Sequence, residues 1–145
     1  LHTKRSNTGV MIERIDHFTV ASDQLEMTRQ FYVDLLGLTV GYRPAFPVQG
    51  LWLYAEKKPL LHLIQVCNMP TPRRGALDHM AFFATDLSRT LCLLGRHQVP
   101  FRIIRCPGQV RTWQVFFYDP NGVEVELDFA PHEVPPANWK TLSSR

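Results

Sequence analysis

Cysteine is scarce in this chain. Its three residues, Cys67, Cys92 and Cys106, are odd in number and form no C-x-x-C, which excludes a disulfide framework and a zinc ribbon. None sits in a nucleophile motif, and Cys92, inside an apolar helix pattern, reads as core. Reduced thiols of this kind predict a cytoplasmic protein. Long apolar runs are also missing: none approaches the roughly 18 residues that a bilayer-spanning helix needs. The first ten residues, LHTKRSNTGV, lack the apolar centre of a signal peptide and read as a disordered or tag-like polar leader ahead of a natural start at Met11. No charge sign dominates. The 16 Lys and Arg against 13 Asp and Glu are scattered, and the densest basic spot, Arg73-Arg74, lies in a Pro-rich loop. A nucleic-acid binder carries a basic stripe or a known motif, and neither is present. What remains is an ordinary globular composition, 45% hydrophobic over 145 residues, enough to bury one shared core in one domain.

Internal repetition organises that domain. I-D-H-F-T-V at 15–20 and L-D-H-M-A-F at 77–82 are both apolar-Asp-His starts to strand-like runs, offset by 62 positions from His17 to His79. An acid follows each and opens a helix, Asp23 in the first copy and Asp86 in the second. The first helix is predicted over 24–36, with Leu25, Thr28, Phe31, Tyr32, Leu35 and Leu36 as its apolar stripe. Asp23 and Glu26 form a variant capping box, and Gly37 stops the helix. Leu87, Thr90, Leu91 and Leu94 repeat the stripe, with Gly95 near the end. Strands are predicted over 38–42, 51–55 and 60–66, then over 101–105, 111–118 and 123–129, with Asp119-Pro120-Asn121-Gly122 turning the last pair into a hairpin. Each half reads strand, helix, strand, strand, strand. The domain therefore spans 11–130, with module one at about 12–67, a linker at 68–75 and module two at about 76–129. The tail, 131–145, reads as surface-bound or frayed chain.

Potential ligands fall on this repeat in a pattern. His17 and His79 occupy the first strands of their copies. His62 lies in the last strand of copy one and Glu126 in the last strand of copy two, 64 positions apart. If the modules pack about a pseudo-two-fold axis, all four can converge on one ion. Side chains alternate faces along a strand, so Glu124, Glu126 and Asp128 share one face and the aliphatic residues between them the other. An acid facing a protein interior is costly unless a cation or hydrogen bonds compensate it. Parity does not choose among the three acids; the alignment of the repeats chooses Glu126. A lone histidine in an apolar strand is usually a satisfied core residue, and the symmetric placement of three with one acid shifts that balance. His2, His97 and His132 lie in polar contexts and read as solvated. Asp16 and Asp78 are expected to satisfy nearby backbone.

These motifs, with F-Y-V-D-L-L-G-L at 31–38 and D-P-N-G-V-E-V-E-L at 119–127, resemble the vicinal oxygen chelate superfamily, over roughly 12–129. That superfamily includes glyoxalase I, extradiol dioxygenases, and fosfomycin- and bleomycin-resistance proteins. The resemblance implies an α+β fold of two βαβββ modules, a curved, barrel-like mixed sheet with helices outside. It implies one divalent metal ion (Fe, Zn, Mn, Ni or Co) held by His17, His62, His79 and Glu126, with His62 standing where glyoxalase I carries a metal-bound Glu. It implies a small-molecule substrate and a homodimer, with the site within one chain or shared between two. Nucleic acid and membrane partners are not expected.

The leading expectation is a glyoxalase-I-like lyase or isomerase that chelates a small oxygenated substrate through two oxygens and stabilises an enolate or similar oxyanion. Glu126 is its candidate base and Glu124 a weaker one. Histidine at 62 argues against strict lactoylglutathione lyase activity, and no glutathione-binding arginine set is evident. Without His62, the remaining His17, His79 and Glu126 form the 2-His-1-carboxylate triad of an Fe(II) extradiol-type ring-cleaving dioxygenase. The third alternative is a non-catalytic drug-binding resistance protein, against which the intact ligand set argues. Trp52, Tyr54, Trp113 and Phe116 either line a substrate pocket or pack the core, the commoner fate of aromatic residues. Arg111 and Arg43 are candidates to meet an anionic substrate, against the usual reading of exposed arginine as solvated.

Overall fold

The computed structural model describes residues 14–107, 109 and 111–142. The leader and Met11 lie outside them. Module one runs β1 (Phe18–Ser22), α1 (Leu25–Gln30, continued by a π-helical turn, Phe31–Leu35), β2 (Thr39–Gly41), β3 (Gly50–Ala55) and β4 (Lys58–Gln65). Module two runs β5 (His79–Phe83), α2 (Leu87–Arg96), β6 (Phe101–Arg105), β7 (Trp113–Tyr118) and β8 (Glu124–Phe129), followed by a short α3 (Trp139–Leu142). The strands form two four-stranded mixed sheets, ordered β1-β4-β3-β2 and β5-β8-β7-β6, with the first and last strands of each module parallel. The α+β class and the βαβββ repeat hold. The barrel-like arrangement is made of two mixed sheets, one per module, and does not close into a single barrel among the described residues.

Alternation decides which face is covered. In β4, Leu61 and Leu63 are fully buried while His62 and Ile64 are half-buried on the other face. In β8, Val125, Leu127 and Phe129 enter the core. On α2, Leu87, Leu91 and Leu94 recur at helical spacing and are fully buried, each contributing about 1.5–3 kcal/mol of apolar burial. Cys92 is exposed between Leu91 and Leu94, so the expectation of a core cysteine is corrected: its position falls outside the buried stripe.

The helix starts differ. Asp86 caps α2 as expected, its carboxylate accepting from Arg89 N at 3.1 Å. The capping box predicted for α1 does not form. Ser22 Oγ, one residue before Asp23, accepts from Gln24 N at 2.9 Å, and Glu26 bonds Arg29 and Gln30 on the exposed side. Gly37, at a φ of 79°, ends the π turn as predicted. The tail is docked up to α3 rather than frayed. Glu133 accepts from Leu87 N at 2.6 Å and from Trp113 Nε1 at 2.9 Å, and the Trp139 ring packs edge-on to Trp113.

The modules are joined through α1 and the β7–β8 turn. Phe31 packs on Phe117 with ring centroids 6.0 Å apart. The buried Tyr32 hydroxyl donates to Asp119 at 2.8 Å, and Asn121 Nδ2 donates to Thr28 Oγ1 at 3.0 Å. Residues of the edge strands β1 and β5 line a common cavity of about 340 Å³.

Candidate functional site

Strand register tests the repeat directly. His62 is the cross-strand partner of Thr19, two residues after His17, and Glu126 is the partner of Ala81, two residues after His79. On the next strand His62 pairs with Trp52, and Glu126 with Phe116. His62 and Glu126 therefore hold the same place in their sheets, and so do Trp52 and Phe116. Glu124 falls opposite His79 itself.

Each module gathers its own part of the candidate set. In module two, His79 Nδ1 donates to Asp78 at 2.8 Å and His79 Nε2 meets Glu126 Oε2 at 2.8 Å. Glu126 is buried on the site face, where the amide of Gln114 donates to its Oε1 and, at 3.2 Å, to Asp128. The Asp78 bond, reinforced by the charge of Glu126, raises the His79 pKa above its ordinary value. Burial raises the Glu126 carboxyl, and Asp128 adds to it, against the opposing pull of His79. Phe116 stands edge-on to His79, with Arg102 stacked 3.9 Å over its ring.

In module one, His17 Nδ1 donates to Asp16 at 2.7 Å. Both histidines thus use the same device: a preceding aspartate fixes the Nδ1 proton and turns Nε2 outward, the outer-sphere arrangement common behind metal-binding imidazoles. Both aspartates accordingly have lowered pKa values, with the histidine hydrogen bond as the main cause. The expectation that Asp16 and Asp78 serve the backbone is corrected by these bonds. His62 is placed otherwise. Its ring is stacked between His17, at 3.9 Å and 14°, and Trp52, at 4.1 Å and 7°. Its Nε2 donates to the Pro59 carbonyl at 3.1 Å, and burial lowers its pKa. Stacked imidazoles send their in-plane lone pairs along separate, nearly parallel planes. As oriented, His17 and His62 do not converge on one point.

Glu124, buried on the same face as Glu126, is clamped by Arg74 Nη2 at 2.9 Å and Arg102 Nη2 at 3.1 Å. Arg74 also reaches Asp78 at 3.1 Å and the Tyr118 hydroxyl at 3.1 Å. The linker arginine thereby ties Glu124 to the aspartate that orients His79. Tyr54 lies over Gly41 and donates to the Tyr42 carbonyl at 2.7 Å. Trp113 faces the opposite side of its sheet and packs against the tail. Arg111 is exposed in the loop before β7, at a φ of 51°.

The quartet is not gathered within one chain. His17, His62 and Trp52 line one cavity of about 560 Å³, while His79 and Glu124 border the cavity between β1 and β5. Among the described residues no three His, Cys, Asp or Glu side chains come together as a metal site. Sequence reasoning missed Gln114 and the two arginines on Glu124. Gln114 had a signal, a lone amide in an apolar strand; the arginines had none, since their partner is 50 or 22 positions away.

Residues 14–127 match the model of the Glyoxalase/Bleomycin resistance protein/Dioxygenase superfamily. A metapyrocatechase from Geobacillus stearothermophilus is 26% identical over 134 residues, covering 86% of this chain but only 39% of that protein. Among solved structures, a lactoylglutathione lyase from Agrobacterium tumefaciens superposes with a TM-score of 0.59 at 22% identity, covering 88% of this chain and 97% of the other. The fosfomycin resistance protein FosX from Listeria monocytogenes gives a TM-score of 0.67 at 16% identity, covering 81% and 92%. No helix among the described residues is long and apolar enough to cross a membrane.

Proposed function

Because the chain belongs to the glyoxalase/bleomycin resistance protein/dioxygenase superfamily, we propose that it is a divalent-metal-dependent lyase or isomerase acting on a small oxygenated substrate. Its site is shared between two copies of the chain, His17 coming from one and His79 and Glu126 from the other. The observation that carries this reading is the matched pair of Asp–His dyads. Asp16–His17 and Asp78–His79 occupy equivalent positions, each presents Nε2, and Glu126 lies against one of them. Two imidazoles of fixed tautomer and a carboxylate fit a borderline divalent ion such as Zn, Fe, Mn, Ni or Co. Such an ion supplies Lewis-acid polarisation of substrate oxygens. Separation of the half-sites within one chain supports completion by a homodimer, and so do the exposed apolar residues Tyr42, Phe46, Val48 and Phe83.

The chain's own groups then divide the work. Asp16 and Asp78 hold the imidazole protons at Nδ1. Gln114 fixes Glu126 Oε1, and Oε2, which faces His79 Nε2 in the metal-free chain, would hold the ion and serve as the base for the substrate proton. Glu124, with both oxygens on guanidinium groups, anchors the wall. Phe116 and Trp52 shield the face from water. Metal analysis of the purified protein tests this. One ion per chain is expected, and His79→Ala and Glu126→Ala are each expected to lose it; full retention in either variant contradicts the assignment.

A second reading is favoured by the stacking of His62. With that ring held by Trp52 and Pro59, the donors reduce to two histidines and one carboxylate, the set used for Fe(II)-dependent ring cleavage. A His62→Ala variant that keeps iron and cleaves catechols selects the dioxygenase; one that keeps its ion without cleaving them selects the lyase or isomerase, and one that loses the ion makes His62 a fourth donor.

A further inference from the structure

Residues 42–49, which connect β2 to β3, fold over the face that carries His17 and His62. They close one side of the 560 Å³ cavity, whose wall there is apolar: Phe46, Pro47, Val48 and Trp52. Arg43 is the cation in that wall. Its Nη2 donates to the Val48 carbonyl at 2.7 Å, and its guanidinium carbon lies 5.1 Å from the Phe46 ring centroid. Its Nε is buried without a hydrogen-bond partner. Asp16, the acid bordering the same cavity, is bonded to His17. Arg74 and Arg102 are matched by Glu124 and Arg29 by Glu26, whereas Arg105, like Arg43, meets a carbonyl and an aromatic ring, those of Pro131 and Trp113, at the docked tail away from this cavity. Among the described residues no carboxylate lies within 4.0 Å of Arg43.

The guanidinium also packs beside the backbone at the start of β3. A Cβ at Gly50 would stand 3.2 Å from Arg43 Nη2 and 3.3 Å from Nε, besides running into the Leu63 carbonyl. The Leu63 carbonyl already requires glycine at 50, and the same bare position leaves room for the guanidinium beside the start of β3. With Nε walled off against Gly50, the Nη groups are the donors left to a ligand beyond the single Val48 bond, and the natural complement of that pair is a planar anion.

We propose that Arg43 is the specificity-determining residue of this site: it selects substrates that carry a carboxylate on a planar body, the body lying against Phe46 and Trp52. The inference rests on the metal-site reading, because the substrate's paired oxygens must go to the ion for the carboxylate to reach Arg43. The probes are 3,4-dihydroxyphenylacetate and its methyl ester, which share the chelating oxygens and differ in charge at the far end. Calorimetric titration of the zinc-loaded protein, with metal content measured on the same samples, is expected to show the acid binding about ten-fold tighter or more than the ester. Arg43→Met is expected to abolish that preference, leaving ester affinity within about two-fold and metal content unchanged. Equal affinities for acid and ester in the wild-type protein, a comparison independent of any variant's folding, would overturn the role of Arg43 alone. A preference surviving in Arg43→Met would do the same. Failure of the wild-type protein to hold zinc overturns the metal site and, with it, this inference.

Discussion

At the scale of single residues, the ionisation of His79 carries the most consequence. A proton on Nε2 occupies the place between His79 and Glu126 that the proposed ion would take, and Asp78 holds the other proton on Nδ1. The folded pKa lies above the ordinary 6.5, so this group's contribution to the stability of the metal-free protein is fully present below that value. It is lost as the pH rises through the folded pKa. His62 has the opposite sign: burial lowers its pKa, and its contribution is lost as the pH falls below 6.5. Proton NMR titration of the metal-free protein should therefore find His79 titrating above 6.5 and His62 below it. Asp78→Asn should bring His79 downward, since the main support of its charge is gone. Coincident titration of the two rings, or no response to Asp78→Asn, would contradict the dyad. The sequence announced both aspartates by repeating apolar-Asp-His in each module. Their target was not legible, because an acid beside a strand residue has backbone and side-chain donors equally within reach.

At the scale of elements, the D-P-N-G turn does more than reverse the chain. Asp119 is buried and accepts from Tyr32 Oη, Asn121 N and Val123 N, at 2.8, 2.7 and 2.9 Å. The turn's local bonds thus share one carboxylate with a helix 87 positions away. Burial, reinforced by Asp119, pushes the Tyr32 hydroxyl well above its ordinary pKa, so it stays a donor. Asp119→Ala should cost about 3 kcal/mol in denaturant unfolding and Tyr32→Phe about 1 kcal/mol, because the second removes one donor and leaves the turn intact. A loss near zero for Asp119→Ala would show that the turn is not the inter-module fastener. The elements themselves were legible wherever periodicity was strong, as in the leucines of α2 and the alternation of β8. The π turn at Phe31–Leu35 was not, since Phe31, Tyr32 and Leu35 fit an α-helical stripe as well as a wider one. The capping box failed for a related reason: Ser22 and Asp23 are both competent, and their neighbours in space decide between them.

At the scale of the whole molecule, the repeat placed His17 with His79 and His62 with Glu126, and strand register bears out that equivalence. Where the two faces meet was beyond the sequence, because identical modules can close on each other within one chain or across a pair. In this chain α1 and the β7–β8 turn fasten the modules, and His17 and His62 border a different cavity from His79. A shared site therefore predicts complementation between subunits. A His17→Ala chain and a His79→Ala chain each lack a donor at every site of their own homodimers. In a mixed dimer the intact His17 of one copy faces the intact His79 and Glu126 of the other, so one of its two sites is whole. The decisive measurement is metal content after unfolding, mixing and refolding the two variants together. Metal regained by the mixture, where neither variant alone holds any, is the result predicted; a mixture as metal-free as its parents, or either variant alone retaining its ion, would contradict a metal centre shared between chains.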